Sequence, residues 1–202
     1  MNCSVVSYLK RGPHGDNHFR GNASGLLIRD LLLWLKPRRV LDPMAGSYTT
    51  RDVCAELGIE SVCLDLREGF DALEMDFFEE FDLVFLHPPY WNMIRYSNDP
   101  RDLSNAITYG DFLGKLHLLL SLSMRALRRG GHLALLIGDL RKRGIYTCIA
   151  RDIEDPAGSQ FVQEMIKIQH NVRSNSMRYN TDLVRIMHEH VLVWRKEKEA
   201  EE

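Results

Sequence analysis

The sequence lacks several features that would settle its class at once. Its four cysteines (Cys3, Cys54, Cys63, Cys148) contain no CxxC pair, which sets aside a zinc ribbon or a disulfide framework and fits a reducing compartment. The opening stretch MNCSVVSYLKRG has no apolar core of the signal-peptide kind, and the leucine-rich run Leu26 to Leu35 is broken by Arg29 and Asp30. The expectation is a soluble, cytoplasmic protein with no membrane partner. No internal repeat appears, and no metal centre is expected. His188 and His190 flank Glu189 on what reads as a plain strand, with no third ligand nearby in sequence. Nor is there an overall basic signature, since 202 residues carry a formal net charge of −2. The charge is segregated, however. Asp65 to Asp82 holds eight acidic residues and one arginine, whereas Lys115 to Arg151 holds eight basic residues and one aspartate. Such a chain either presents a cationic face despite its acidic total or simply solvates two helix faces.

The length suits one globular domain with a substantial core. Residues 1–17, with Gly12, Pro13, Gly15 and Asp16, read as an irregular lead-in; 18–196 read as the domain and 197–202 (EKEAEE) as a charged tail. Ser24 is placed to cap a helix running to Lys36. A strand over Arg39 to Asp42 and a helix over Thr49 to Leu57, closed by Gly58, come next. Further strands are expected at Ser61 to Leu64, Leu73 to Met75, Leu83 to Leu86, His132 to Ile137, Val162 to Ile168 and Val191 to Arg195. A long helix capped by Asp111 should run to Arg129, and a short one should lie near Ile149 to Ile153. Strands alternating with helices imply an α/β fold, a mostly parallel sheet with helices on both faces and a ligand at the carboxyl ends of its strands, where Asp42, Asp65, His87 and Asp139 all fall.

Two motifs carry chemistry. In VLDPMAGSYTT (Val40 to Thr50), Asp42 and Pro43 turn the chain after an apolar strand. Ala45, Gly46 and Ser47 are small enough to let a ligand approach the backbone before the helix starts at Thr49. About 20 residues on, Asp65 ends the next strand, where a nucleotide fold places an acid on the ribose hydroxyls. In DLVFLHPPYW (Asp82 to Trp91) an apolar run ends in His87, Pro88, Pro89 and Tyr90. The two prolines fix φ and remove amide donors, freeing carbonyls to face a ligand beside an aromatic ring.

At these residues the chain resembles the S-adenosylmethionine-dependent DNA amino-methyltransferases, which modify adenine N6 or cytosine N4. Their loops typically read DPxxGSGTT and DPPY or SPPY. Tyr48 stands where the family has its second glycine, and His87 replaces the usual Asp or Ser. The resemblance runs from about Asn17 to Lys196 and implies a Rossmann-like class I methyltransferase fold. It also implies that HFRGN (His18 to Asn22) cradles the methionine end of the cofactor, with Arg20 and Asn22 on its carboxylate and amine, and that Asp76 sits near the adenine.

By the same resemblance, the His87 side chain and the Pro88 carbonyl accept the hydrogens of the target amine, while Tyr90, helped by Trp91, stacks on an extruded base. Transfer should then decline as pH falls through the histidine's pKa, ~6.5 if unperturbed. Arg95, Arg101, Arg141, Lys142, Arg143, Arg173 and Arg178 are the candidates for phosphate contacts. The expected partner is nucleic acid, DNA first. Recognition is short, relaxed or shared with a second copy or a specificity partner, because only Asn92 to Gly110 and Gln169 to Thr181 are spare for it. The alternatives are an RNA base amine as target, and a non-catalytic nucleic-acid-binding subunit.

Overall fold

The computed structural model describes residues 1, 3–170 and 183–197. In chain order the elements are β1 (Val5–Ser7), α1 (Gly25–Leu35), β2 (Arg39–Asp42), α2 (Thr49–Leu57), β3 (Glu60–Cys63), β4 (Phe81–Leu86), α3 (Tyr109–Ala126), β5 (Leu127–Ile137), a small hairpin β6 (Leu140–Lys142) and β7 (Ile145–Thr147), β8 (Ser159–Ile168) and β9 (His188–Lys196). Seven strands form one sheet in the order β1-β8-β9-β5-β4-β2-β3. Pairing is parallel throughout except for β9, which runs antiparallel between β5 and β8.

The period-two alternation of the strands sorts their side chains to two cores. Val40, Leu83, Phe85, Ala134, Leu136, Val191 and Val193 pack with α1 and α2 on one face. Leu41, Val84, Leu86, Leu133, Leu135, Ile137, Leu192 and Trp194 pack with α3 on the other. The chain leaves β2 for β3 on one side and returns to β4 on the other. The carboxyl ends of β2 and β4 therefore flank a topological switch point, where open α/β sheets leave a crevice.

Several local expectations change. The lead-in contains β1, paired with β8 from Val5 opposite Ile166 to Ser7 opposite Ile168. Ser24 occupies the N-cap position of α1, but its hydroxyl donates to the Arg11 carbonyl instead of capping. Leu73 to Met75 is not a strand: the Asp71 side chain accepts from the Leu73 amide at 2.9 Å and winds Ala72–Glu74 into a 3₁₀ turn. Ala150–Asp152 is likewise a 3₁₀ turn. Thr108, not Asp111, caps α3, accepting from the Asp111 amide at 3.1 Å. That helix stops at Ala126, because Leu127 is already extended and paired with Phe81, and the irregularity in β5 falls where Gly130 takes φ 77°.

Phe112 is fully buried where α3 meets the sheet. Phe112→Ala should lower unfolding free energy by about 3–5 kcal/mol, read as an earlier denaturant midpoint with the slope preserved.

Candidate active site

The loop after β2 is shaped by its acids. Asp42, at the strand end, is 3% exposed and accepts from the Thr50 hydroxyl at 2.5 Å and the Met44 amide at 3.2 Å. Burial pushes its carboxyl up to about 7 against these two hydrogen bonds. Asp65, just past β3, accepts from the Gly46 amide at 2.8 Å and from the Arg67 amide at 3.0 Å and Nε at 2.7 Å. The Arg67 guanidinium also donates to the Gly46 carbonyl and lies 4.7 Å over the Phe19 ring. Gly46 itself has φ 50°, and a Cβ there would stand 3.0 Å from Phe19. Tyr48 takes the left-handed conformation that the family's glycine would allow (φ 60°, ψ 26°). Its ring turns out under the Arg51 guanidinium at 4.4 Å and does not line the cavity. A non-glycine residue in this region costs about 1–2 kcal/mol, held by the surrounding structure.

These loops wall a cavity of about 480 Å³. Asn22, Asp42, Pro43, Ala45, Gly46, Ser47, Thr49 and Asp65 all line it, as do Phe19, Met44, Leu66, Phe70, Asp71 and Leu103. Asp76 does not: its side chain is 91% exposed and paired with Arg125 at 2.7 Å, and Asp71, which caps the preceding turn, faces the cavity instead. Arg20 also stands apart, on a second cavity of about 700 Å³. The two cavities share Gly21, Asn22, His87 and Tyr96 in their walls. The Phe19 and Tyr96 rings stack at 5.9 Å, and a Cβ on Gly21 would meet the Tyr96 hydroxyl at 2.3 Å. Phe19 belongs to the HFRGN segment, whereas Tyr96 and Arg67 carried no periodic or motif signal in the sequence; the three meet only through the fold.

His87 follows the end of β4, and its ring belongs to a half-buried relay that ends on the buried Glu189. His87 Nε2 lies 2.9 Å from the Tyr90 hydroxyl, which donates to Glu189 Oε1 at 2.6 Å. Glu189 Oε2 accepts from Lys167 Nζ. Since the Tyr90 proton goes to Glu189, the phenol oxygen accepts from His87 Nε2–H, and Nδ1 is left as the ring's acceptor. Burial lowers the imidazole to about 4, helped by Lys167 and opposed by Glu189. Burial also raises Tyr90 well above 10. For Glu189 burial acts upward, but the Lys167 charge and the hydrogen bonds donated by Lys167 and Tyr90 hold it below the usual glutamate value. The Tyr90 ring packs on Gly138, where a Cβ would come within 2.4 Å of Cε2.

The rest of the loop departs from the expectation. Pro89 lines the first cavity and Tyr90 the second, whereas Pro88 is buried and lines neither. Trp91 lines neither cavity: at φ 48° it turns toward the core, donating Nε1–H to the Ala106 carbonyl at 3.1 Å and packing on Tyr109. Among the basic candidates, Arg141 lines the second cavity and donates to the Val184 carbonyl at 2.6 Å. Lys142 lies 5.9 Å over the Trp91 ring, and Arg143 is exposed on the same hairpin. Arg101 belongs to the first cavity, clamped on Asp99 at 2.7 Å, and Arg95 is exposed on its neighbour Ser97. Arg173 and Arg178 lie outside the described residues.

No known family model matches the chain, and no curated protein matches it. Among solved structures, TrmN from Thermus thermophilus is similar at TM-score 0.48 and 20% identity, covering 89% of this chain and 51% of its own, so this chain spans about half the length of TrmN. A SAM-dependent methyltransferase from Archaeoglobus fulgidus is similar at TM-score 0.53 and 16% identity over 90% of this chain and 100% of its own. The fold is the Rossmann-like α/β fold of class I methyltransferases, with its crevice at the ends of β2 and β4.

Proposed function

We propose that the protein transfers a methyl group from S-adenosylmethionine to an exocyclic amine of a nucleic-acid base, cytosine N4 or adenine N6 of DNA. The observation that carries this reading is the place of His87, at the junction of two cavities, on a His-Pro-Pro-Tyr turn at the topological switch point.

The first cavity suits the cofactor. Its volume falls in the ~300–1,000 Å³ usual for small-molecule sites. Asp65 carries acceptor capacity beyond its bonds to Gly46 and Arg67, available to ribose hydroxyls. Met44, Leu66, Phe70 and Leu103 form an apolar stretch suited to a flat ring, with Asp71 beside it. When bound, the cofactor supplies an electrophilic methyl on a sulfonium. The chain supplies position. Neutral His87 offers Nδ1 to a hydrogen of the target amine, which orients the nitrogen lone pair at the junction. An imidazole lowered to about 4 does not keep a proton near neutrality, so the proton lost by the methylated amine passes on to solvent, and His87 acts as an acceptor instead of a proton store. Tyr90, held by Glu189, gives the second cavity a fixed aromatic wall, and base stacking on such a wall is worth ~1–3 kcal/mol. Arg141, Lys142 and Arg143, on the hairpin that borders this cavity, supply positive charge for phosphates.

Calorimetry with S-adenosylmethionine, followed by labelled-methyl transfer to DNA and RNA and nucleoside analysis, tests the reading. The expected product is N4-methylcytosine or N6-methyladenine in DNA. Label confined to RNA would move the substrate class, and absence of cofactor binding would sink the proposal. Asp65→Ala should abolish most cofactor affinity. It should also cost about 1–3 kcal/mol of stability with no ligand present, because the Gly46 amide loses its acceptor; an unchanged denaturation midpoint would show that Asp65 does not hold the loop. Because burial lowers His87, single-turnover rates should hold below pH 6.5 and fall only as pH approaches 4, where protonation converts the acceptor into a donor. His87→Ala should slow transfer about tenfold, the worth of one hydrogen bond, with cofactor affinity retained.

A further inference from the structure

His188 and His190 stand two residues apart on β9, so the strand's period places both rings on one face. Their ring centroids are 4.9 Å apart, crossed at 77°. The third ligand, missing from their sequence neighbourhood, comes from Asp139, directly after β5, the antiparallel partner of β9. Asp139 Oδ2 is 3.3 Å from His190 Nε2 and 3.9 Å from His188 Nε2, and one ligand atom from each of the three residues lies within 4.8 Å of the others. Ligand atoms 2.0–2.1 Å from a tetrahedral zinc stand about 3.3 Å apart. The Asp139–His190 separation already has that value, and the His188 side chain, 35% exposed, has room to close the remainder.

Two further observations point to a cation. The Asp139 side chain is fully buried and its Oδ2 accepts from the Tyr146 hydroxyl, yet its Oδ1 has no hydrogen-bond partner, which is costly for a carboxylate oxygen. In addition, Glu164 Oε1 lies 2.7 Å from His190 Nδ1. A carboxylate there fixes the Nδ1–H tautomer and leaves Nε2 as the donor lone pair, the arrangement seen behind metal-bound histidines.

We propose that Asp139, His188 and His190 bind one divalent first-row transition-metal ion, zinc in the first instance, at the edge of the second cavity. Two imidazoles and one carboxylate suit such ions better than calcium or magnesium, which take oxygen ligands. Binding replaces any proton on His190 Nε2 by the metal and releases it to solvent. Three protein ligands leave a coordination position for a water or for an oxygen of whatever occupies the cavity, which Asp139 and His188 line. The site stands independently of the methyl-transfer reading.

The test uses the full chain, stripped with chelator and titrated with Co²⁺ and then Zn²⁺. One equivalent of Co²⁺ should give d–d absorption bands, Zn²⁺ should displace it, and zinc should raise the thermal midpoint. Asp139→Asn and His188→Ala should each weaken binding at least tenfold and erase the midpoint shift; half-exposed His188 gives a variant that keeps the fold, verified by circular dichroism. Equal affinity and stoichiometry in wild type and folded His188→Ala would overturn the assignment in favour of adventitious binding by other histidines. No d–d bands in wild type would leave Asp139, His190 and Glu164 as a plain hydrogen-bonded relay.

Discussion

The carboxylate of Glu189 fixes the working end of this molecule. It is 7% exposed and lies on the one antiparallel strand of the main sheet, yet it reaches the turn after β4, 99 residues earlier, through the Tyr90 hydroxyl. Lys167, on neighbouring β8, supplies the opposing charge. A buried carboxylate is tolerable only when paired and hydrogen-bonded. Each of these three groups therefore constrains the other two, and His87 is held through Tyr90. The His-Pro-Pro-Tyr turn gains from this a geometry that its own backbone does not specify, because two prolines remove the amide donors with which a loop ordinarily ties itself down.

The glycine loop is fixed by an analogous device. Asp65 reaches from the end of β3 to the Gly46 amide, and Arg67 ties Asp65, the Gly46 carbonyl and the face of Phe19 together. That arrangement makes Asp65 a positioning residue for the glycine loop. It also accounts for Tyr48: the strain of a left-handed tyrosine is small beside a loop anchored at both the strand and the carboxylate, and its ring leaves the cavity free by turning under Arg51. The departure from the glycine pattern is thus compatible with an open cavity.

Electrostatics separates the roles of two groups at the ends of adjacent strands. Asp42 and His87 both lie at the switch point, and burial pushes both toward their neutral forms, the acid up to about 7 and the imidazole down to about 4. In the proposed reaction of a sulfonium cofactor with a neutral amine, a neutral His87 keeps an acceptor available without placing a second cation beside the first.

The sequence by itself determined the α/β class, the strands that matter and the two loops at their carboxyl ends, because hydrophobic period and turn chemistry are local properties read over a few residues. Of the four strand-end residues expected at one site, Asp42, Asp65 and His87 line the first cavity, since a doubly wound sheet carries those strand ends to one edge, whereas Asp139 lines the second. Only the tertiary structure decided what each side chain touches. Trp91 went to the core and Asp76 to the surface, because a single-residue difference in turn conformation reverses the direction of a side chain. Glu189 and Lys167 entered the site, and Asp139 joined His188 and His190, through strand pairings across dozens of residues that no local pattern records, while Arg67 and Tyr96 reached it from a turn and a loop.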